Sequence, residues 1–123
     1  MITKLGRLMV PVSDQDEAIS FYTTTLGFAV VADVPFGEGD RWVEVAPLVG
    51  SASLALVRPQ GDHQPGRMTG IALESPDAAA AHAELKDKGV DVDAELMGGE
   101  GGVPPMLFFR DKDKNHLLLV QTQ

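Results

Sequence analysis

The 123-residue sequence contains no cysteine, one Trp, one Tyr and three His. The lack of Cys excludes disulfides, thiolate metal sites and a Cys nucleophile, and it leaves the redox compartment open. Basic residues are scarce: ten Lys and Arg against eighteen Asp and Glu give a net charge of −8. They are also dispersed, which argues against nucleic acid as a partner, since phosphate contacts need clustered cations. Long apolar runs are missing too. No stretch approaches the roughly 20 residues of a membrane helix, and the opening MITKLGRLMVPVSD has no signal-peptide core. The expectation is a cytoplasmic protein with no membrane partner.

What is present is apolar material in a regular layout. Hydrophobic residues make up 44% of the chain and charged ones 23%, which suits a globular chain able to bury a core. Leu8, Val10 and Val12 alternate with Arg7, Met9 and Pro11, predicting a strand over Leu5–Val12. Ser13 or Asp14 can cap a helix whose first turn carries Asp16 and Glu17. Ala18, Ile19, Tyr22 and Leu26 follow at helical spacing, and Gly27 can end the helix. Strands are predicted over Phe28–Val34, Arg41–Ala46 and Ser53–Val57, punctuated by PFGEGD and PLVGSAS.

The same plan then recurs. Met68–Leu73 reads as a strand, Ser75-Pro76 as an N-cap followed by a first-turn Pro, and the four alanines from Ala78 as the body of a helix reaching about Lys88. Gly89 ends it, Val90–Ala94 is the next strand, and GGEGGVPP is a mobile loop. Met106–Arg110 and His116–Gln121 form a hairpin across DKDKN. Each half therefore reads β-α-β-β-β, and a sheet with a helix on one face leaves the other face to be covered. The expected fold is α+β, two βαβββ modules forming a curved mixed sheet around a central cleft. It occupies a single domain, residues 1–123: module one about 4–58, a linker about 59–67, and module two about 68–123.

Chemical motifs are sparse. His63, His82 and His116 fall in a linker, a helix and a strand, with no H-x-H or H-x-x-x-H pair to hold a metal. His116 stands apart because it shares strand parity with Leu118 and Val120. DKDKN lacks the Gly and closing Glu of a calcium loop. GGEGG lacks the Lys-Ser or Lys-Thr of a phosphate loop. No serine lies in a G-x-S-x-G elbow.

Val12–Phe28, VSDQDEAISFYTTTLGF, resembles the signature of the vicinal oxygen chelate superfamily, and FRDKDKNHLLLVQ resembles its closing hairpin, with Lys112 for the usual Pro and Lys114 for the usual Gly. The group includes glyoxalase I, extradiol dioxygenases and bleomycin-resistance proteins. The resemblance implies that its enzymes' metal ligands would fall at Arg7, Ala55, Gly70 and Leu118, none of which can serve. It thus implies a metal-free, cofactor-free protein that sequesters a small organic molecule, drug-like or aromatic, as a homodimer, and leans away from catalysis. The expected ligand-binding residues are Arg7, Met9, Trp42, Glu44, Ser53, Ala55, Met68, Gly70, Phe108, His116 and Leu118. The face presented by the third and seventh strands stays open, as does an Arg7–Glu44 ion pair. The alternatives are a glyoxalase-like metal-dependent lyase or isomerase, and a metal-independent enzyme using His116 or Glu44 for proton transfer.

Overall fold

The computed structural model describes residues 1–47 and 50–122; Leu48 and Val49, within the expected PLVGSAS turn, lie outside them. The fold is α+β, and the chain divides into two compact units, Met1–Pro65 and Gly66–Gln123. The first unit comprises β1 (Arg7–Pro11), α1 (Gln15–Ser20) continuing into a π-helical turn (Phe21–Thr25), β2 (Ala29–Pro35), β3 (Arg41–Ala46) and β4 (Ser53–Val57). The second comprises β5 (Met68–Ser75), α2 (Ala78–Asp87), β6 (Asp91–Val92), β7 (Met106–Arg110) and β8 (His116–Gln121). Each forms a four-stranded mixed sheet, in the order β1-β4-β3-β2 or β5-β8-β7-β6. β1 and β4 pair in parallel, as do β5 and β8, and the remaining pairs are antiparallel.

In the first unit, strand alternation sends Val10, Val43, Val45, Leu54 and Leu56 into a core shared with Ala18, Phe21, Tyr22 and Phe28. The Tyr22 ring packs 5.4 Å from Phe21 and 5.6 Å from Phe28. Burial of each such side chain contributes about 1.5–3 kcal/mol. Asp14, not Ser13, caps α1, its carboxylate accepting from Glu17 N–H. Gln15 ties the helix start to the sheet, donating from Nε2 to the carbonyls of Arg41 and Leu56. The π-turn was not expected. Leu26 N–H bonds Phe21 C=O five residues back, while the Thr23 hydroxyl donates to Ile19 C=O, a back-bond that perturbs helical geometry. Gly27, at φ 81°, then turns the chain into β2.

The second unit is built on Ile71, Ala78, Leu85, Leu107, Phe109 and Leu117. Two local expectations are corrected. Asp77 caps α2 through Ala80 N–H, while Ser75 is the last residue of β5 and its hydroxyl accepts from Asp77 N–H. A helix preceded by two cap-capable residues takes the one whose carboxylate reaches three residues ahead. The strand expected over Val90–Ala94 shortens to Asp91–Val92, beyond which Asp93 turns its carboxylate to Arg110. The DKDKN hairpin is held by Asp111, whose Oδ1 accepts from the backbones of Asp113 and Asn115, and by Asn115, whose amide donates back to Asp111 Oδ2.

Candidate functional site

Strand register decides which expected site residues share a face. In the first unit Arg7 pairs with Ser53 and Met9 with Ala55 across β1–β4, Glu44 pairs with Ala55 across β3–β4, and Val34 pairs with Trp42 across β2–β3. Cα partners in a ladder point to the same side. Arg7, Met9, Trp42, Glu44, Ser53 and Ala55 therefore lie together on one face, opposite the one that meets α1 in the core. This resolves the open side of the third strand.

In the second unit Met68 pairs with His116, Phe108 with Leu118 and Arg110 with His116. These residues share a face as well, which places Phe108 with the eighth-strand candidates. Gly70 lies in the irregular register between Met68 and Ala72. Arg110 is engaged by Asp91 and Asp93 at 3.0 and 2.7 Å. His116 Nδ1 is enclosed without a hydrogen-bond partner among the described residues. The expected residues thus assemble as two groups, one on each sheet.

The first group is organised by Glu44, which is only 7% exposed. Its Oε1 accepts from the Ser53 hydroxyl at 2.5 Å and lies 3.1 Å from Arg7 Nε, while Oε2 accepts from the Trp42 indole N–H at 2.6 Å. The Ser53 and Trp42 bonds, with help from Arg7, hold the carboxyl below the usual glutamate range against the opposing effect of burial. Arg7 itself is 54% exposed along its side chain, so most of the anchoring comes from the two neutral donors. The Arg7–Glu44 pair left open by the sequence is formed.

Beside this cluster the first unit has a cavity of about 460 Å³ lined by Met9, Phe36, Asp40, Trp42, Val57, Arg58 and His63, among others. Phe36 and Met9 are 63% and 58% exposed, an arrangement that leaves apolar surface for something else to cover. Phe36 meets Trp42 edge-on with ring centroids 5.8 Å apart. Arg58 and Asp40 form a 2.6 Å ion pair among the lining residues. Of the expected site residues, Met9 and Trp42 line this space. Phe36 and Asp40 were missed because they fall in PFGEGD, His63 because it falls in the linker, and Arg58 because it stands at the junction of β4 and that linker, all of which read as connections. The one signal was an aromatic residue inside an otherwise polar turn.

Among the described residues, no three His, Asp or Glu side chains converge on a common metal position, and no helix is long and apolar enough to cross a membrane. The repeated sheets and the matching family model, which covers residues 4–119, establish that the chain belongs to the glyoxalase/bleomycin resistance protein/dioxygenase superfamily. Among its relatives, the uncharacterized protein YetH of Bacillus subtilis is 32% identical, with 97% of this chain and 98% of YetH aligned. A superfamily member from Sphaerobacter thermophilus is 33% identical and superposes with a TM-score of 0.89 over 98% of each chain. TnmS3, an antibiotic binding protein from Streptomyces sp. CB03234, is 36% identical, with a TM-score of 0.84 over 99% of this chain and 98% of TnmS3.

Proposed function

We propose that this protein binds and sequesters a small organic molecule with a flat apolar part, without a metal and without breaking a bond. The observation that carries this reading is the cavity in the first unit, where Met9, Phe36, Trp42 and Val57 supply apolar and aromatic surface beside the polar groups of Asp40, Arg58 and His63. Small-molecule sites combine apolar surface with oriented polar groups, and this lining is divided about evenly between the two. The likeness to TnmS3, an antibiotic binding protein, supports the same class of ligand.

The metal-free part rests on donor chemistry. At the positions where the superfamily's enzymes carry ligands, this chain has Arg7, Ala55, Gly70 and Leu118. Two have no side-chain donor atom because they are Ala and Gly, one is a hydrocarbon, and one is a permanent cation. Glu44, Cα partner of Ala55, has its carboxylate engaged by Ser53, Trp42 and Arg7. These residues do not fit a divalent cation. The proposal extends to a homodimer, for which the exposed Val30, Val31 and Val34 of the edge strand β2 offer apolar surface, and to a cytoplasmic location.

The test is a titration of flat aromatic compounds, among them 2-naphthol and quinoline, followed by Trp42 emission and by thermal shift. A ligand of the folded state raises apparent stability as its concentration passes Kd. The expected result is saturable binding with full recovery of the unaltered compound. One equivalent of Zn, Ni, Mn or Fe in protein purified without chelators would overturn the metal-free reading. Conversion of the compound would overturn sequestration.

A further inference from the structure

Trp42 is tethered as well as placed, and the chain has no other Trp. Because its indole N–H is given to Glu44 Oε2, what the residue can offer a ligand is ring carbon surface. Indole has a single N–H donor and no acceptor. The second Glu44 oxygen is claimed by Ser53 and Arg7, so the carboxylate cannot swing away without breaking contacts to two other strands. Ladder register builds this in, because Arg7 and Ser53 are Cα partners and Ala55, two residues along β4, is the partner of Glu44.

We infer that Glu44 is a positioning residue: Arg7 and Ser53 hold one of its oxygens so that the other fixes the Trp42 indole as a wall of the cavity. The inference rests on reading that cavity as the ligand site. It assigns the carboxylate a role through Trp42, in place of the base or metal-ligand role that a buried Glu suggests in this superfamily. The benefit is pre-organisation. An indole free to change rotamer would have to be ordered at every binding event, at the expense of affinity.

The experiment reads the indole directly. Trp42 gives one indole Nε1–H resonance, assigned by its disappearance in Trp42→Phe. In the unsubstituted protein it is expected to exchange slowly with solvent. In Glu44→Ala exchange is expected to be about tenfold faster or more, given the strength of a hydrogen bond to a charged acceptor, with Trp42 emission moved to longer wavelength. Glu44→Gln keeps the shape and one neutral acceptor and is expected to fall between; it also serves if the alanine variant does not fold. With 2-naphthol as probe, affinity is expected to drop in the same order. An indole N–H that exchanges equally fast in the unsubstituted protein and both Glu44 variants overturns the inference, whatever the probe does. Altered indole exchange in the variants, with no binding of 2-naphthol or its analogues to the unsubstituted protein, upholds the tether and overturns the reading of the cavity.

Discussion

The two sheets share a strand order but carry different chemistry on corresponding faces. Where β3 and β4 pair Glu44 with Ala55, β7 and β8 pair Phe108 with Leu118. Two residues before Ala55 stands Ser53, whose hydroxyl is bonded; two residues before Leu118 stands His116, whose Nδ1 is enclosed and has no partner among the described residues. The first sheet therefore buries a carboxylate and satisfies it from three side chains, while the second carries half-buried Phe108 and Leu118 beside an Arg110 paired with Asp91 and Asp93. The repeated element order accounts for the shared topology. What each copy does is decided by a handful of side chains projecting from the same places.

The largest expected effect breaks a feature that each unit has of its own, the apolar core between helix and sheet. Phe109 is almost fully buried, and Phe109→Ala is expected to cost about 3–5 kcal/mol, from lost transfer energy and the cavity left behind. Urea denaturation checks it. A loss below 1 kcal/mol would mean that the ring is not packed as described.

The next effect isolates the polar cluster of the first unit. Ser53→Ala removes a donor from a buried carboxylate and is expected to cost about 1–3 kcal/mol. The same cluster sets a pH dependence. Because the Glu44 carboxyl is held below its ordinary value in the folded state, the unfolded chain takes up the proton first as pH falls. The stabilisation is therefore complete above the ordinary glutamate value of about 4.3 and is lost as pH drops through the folded-state value. Denaturation of the native protein and Glu44→Gln between pH 7 and pH 3 is expected to show a gap that narrows only at the acid end. A constant gap would place the loss in shape instead of charge.

How much of this was legible beforehand follows the same division. Arg41–Ala46, Ser53–Val57, Met106–Arg110 and His116–Gln121 form strands with the bounds read from the sequence, because alternation and turn residues both mark their ends. The π-turn was hidden, since it depends on where Thr23 sends its hydroxyl and not on apolar spacing. Parity put Arg7 with Met9 and Ser53 with Ala55, and the family resemblance put the two pairs on one side. Parity could not bring in Trp42 and Glu44, whose side is set by antiparallel register. Phe36, Asp40, Arg58 and His63 were out of reach for a different reason: residues in connections reach a site by the path of a loop, which has no period to read.

A smaller effect sharpens the contrast at His116. Replacing an enclosed, unpartnered polar atom by hydrocarbon removes a desolvation penalty. His116→Leu is therefore expected to leave stability unchanged or raise it by up to about 1 kcal/mol, the opposite sign to Ser53→Ala. A marked loss in chemical denaturation would show that Nδ1 has a partner in solution.

The smallest expected effect concerns the connections from β3 to β4 and from β7 to β8. The first unit places Gly50 at φ 89°, whereas the second places Lys114 at φ 66°, where the family resemblance puts Gly. An L-residue with a Cβ is strained there by about 1 kcal/mol. Lys114 has a compensation, since its Nζ lies 3.3 Å from Asp91 Oδ2, but the pair is exposed and Asp91 is also held by Arg110. Glycine would relieve the strain while adding freedom to the unfolded chain, which works against the gain. Lys114→Gly is accordingly expected to stabilise by less than about 1 kcal/mol, seen as a small rise in Tm. Lys114→Ala, which loses the pair and keeps the Cβ, is expected to lower it. If glycine lowers Tm as much as alanine does, the lysine is there for its charge, and the two turns differ in electrostatics more than in backbone strain.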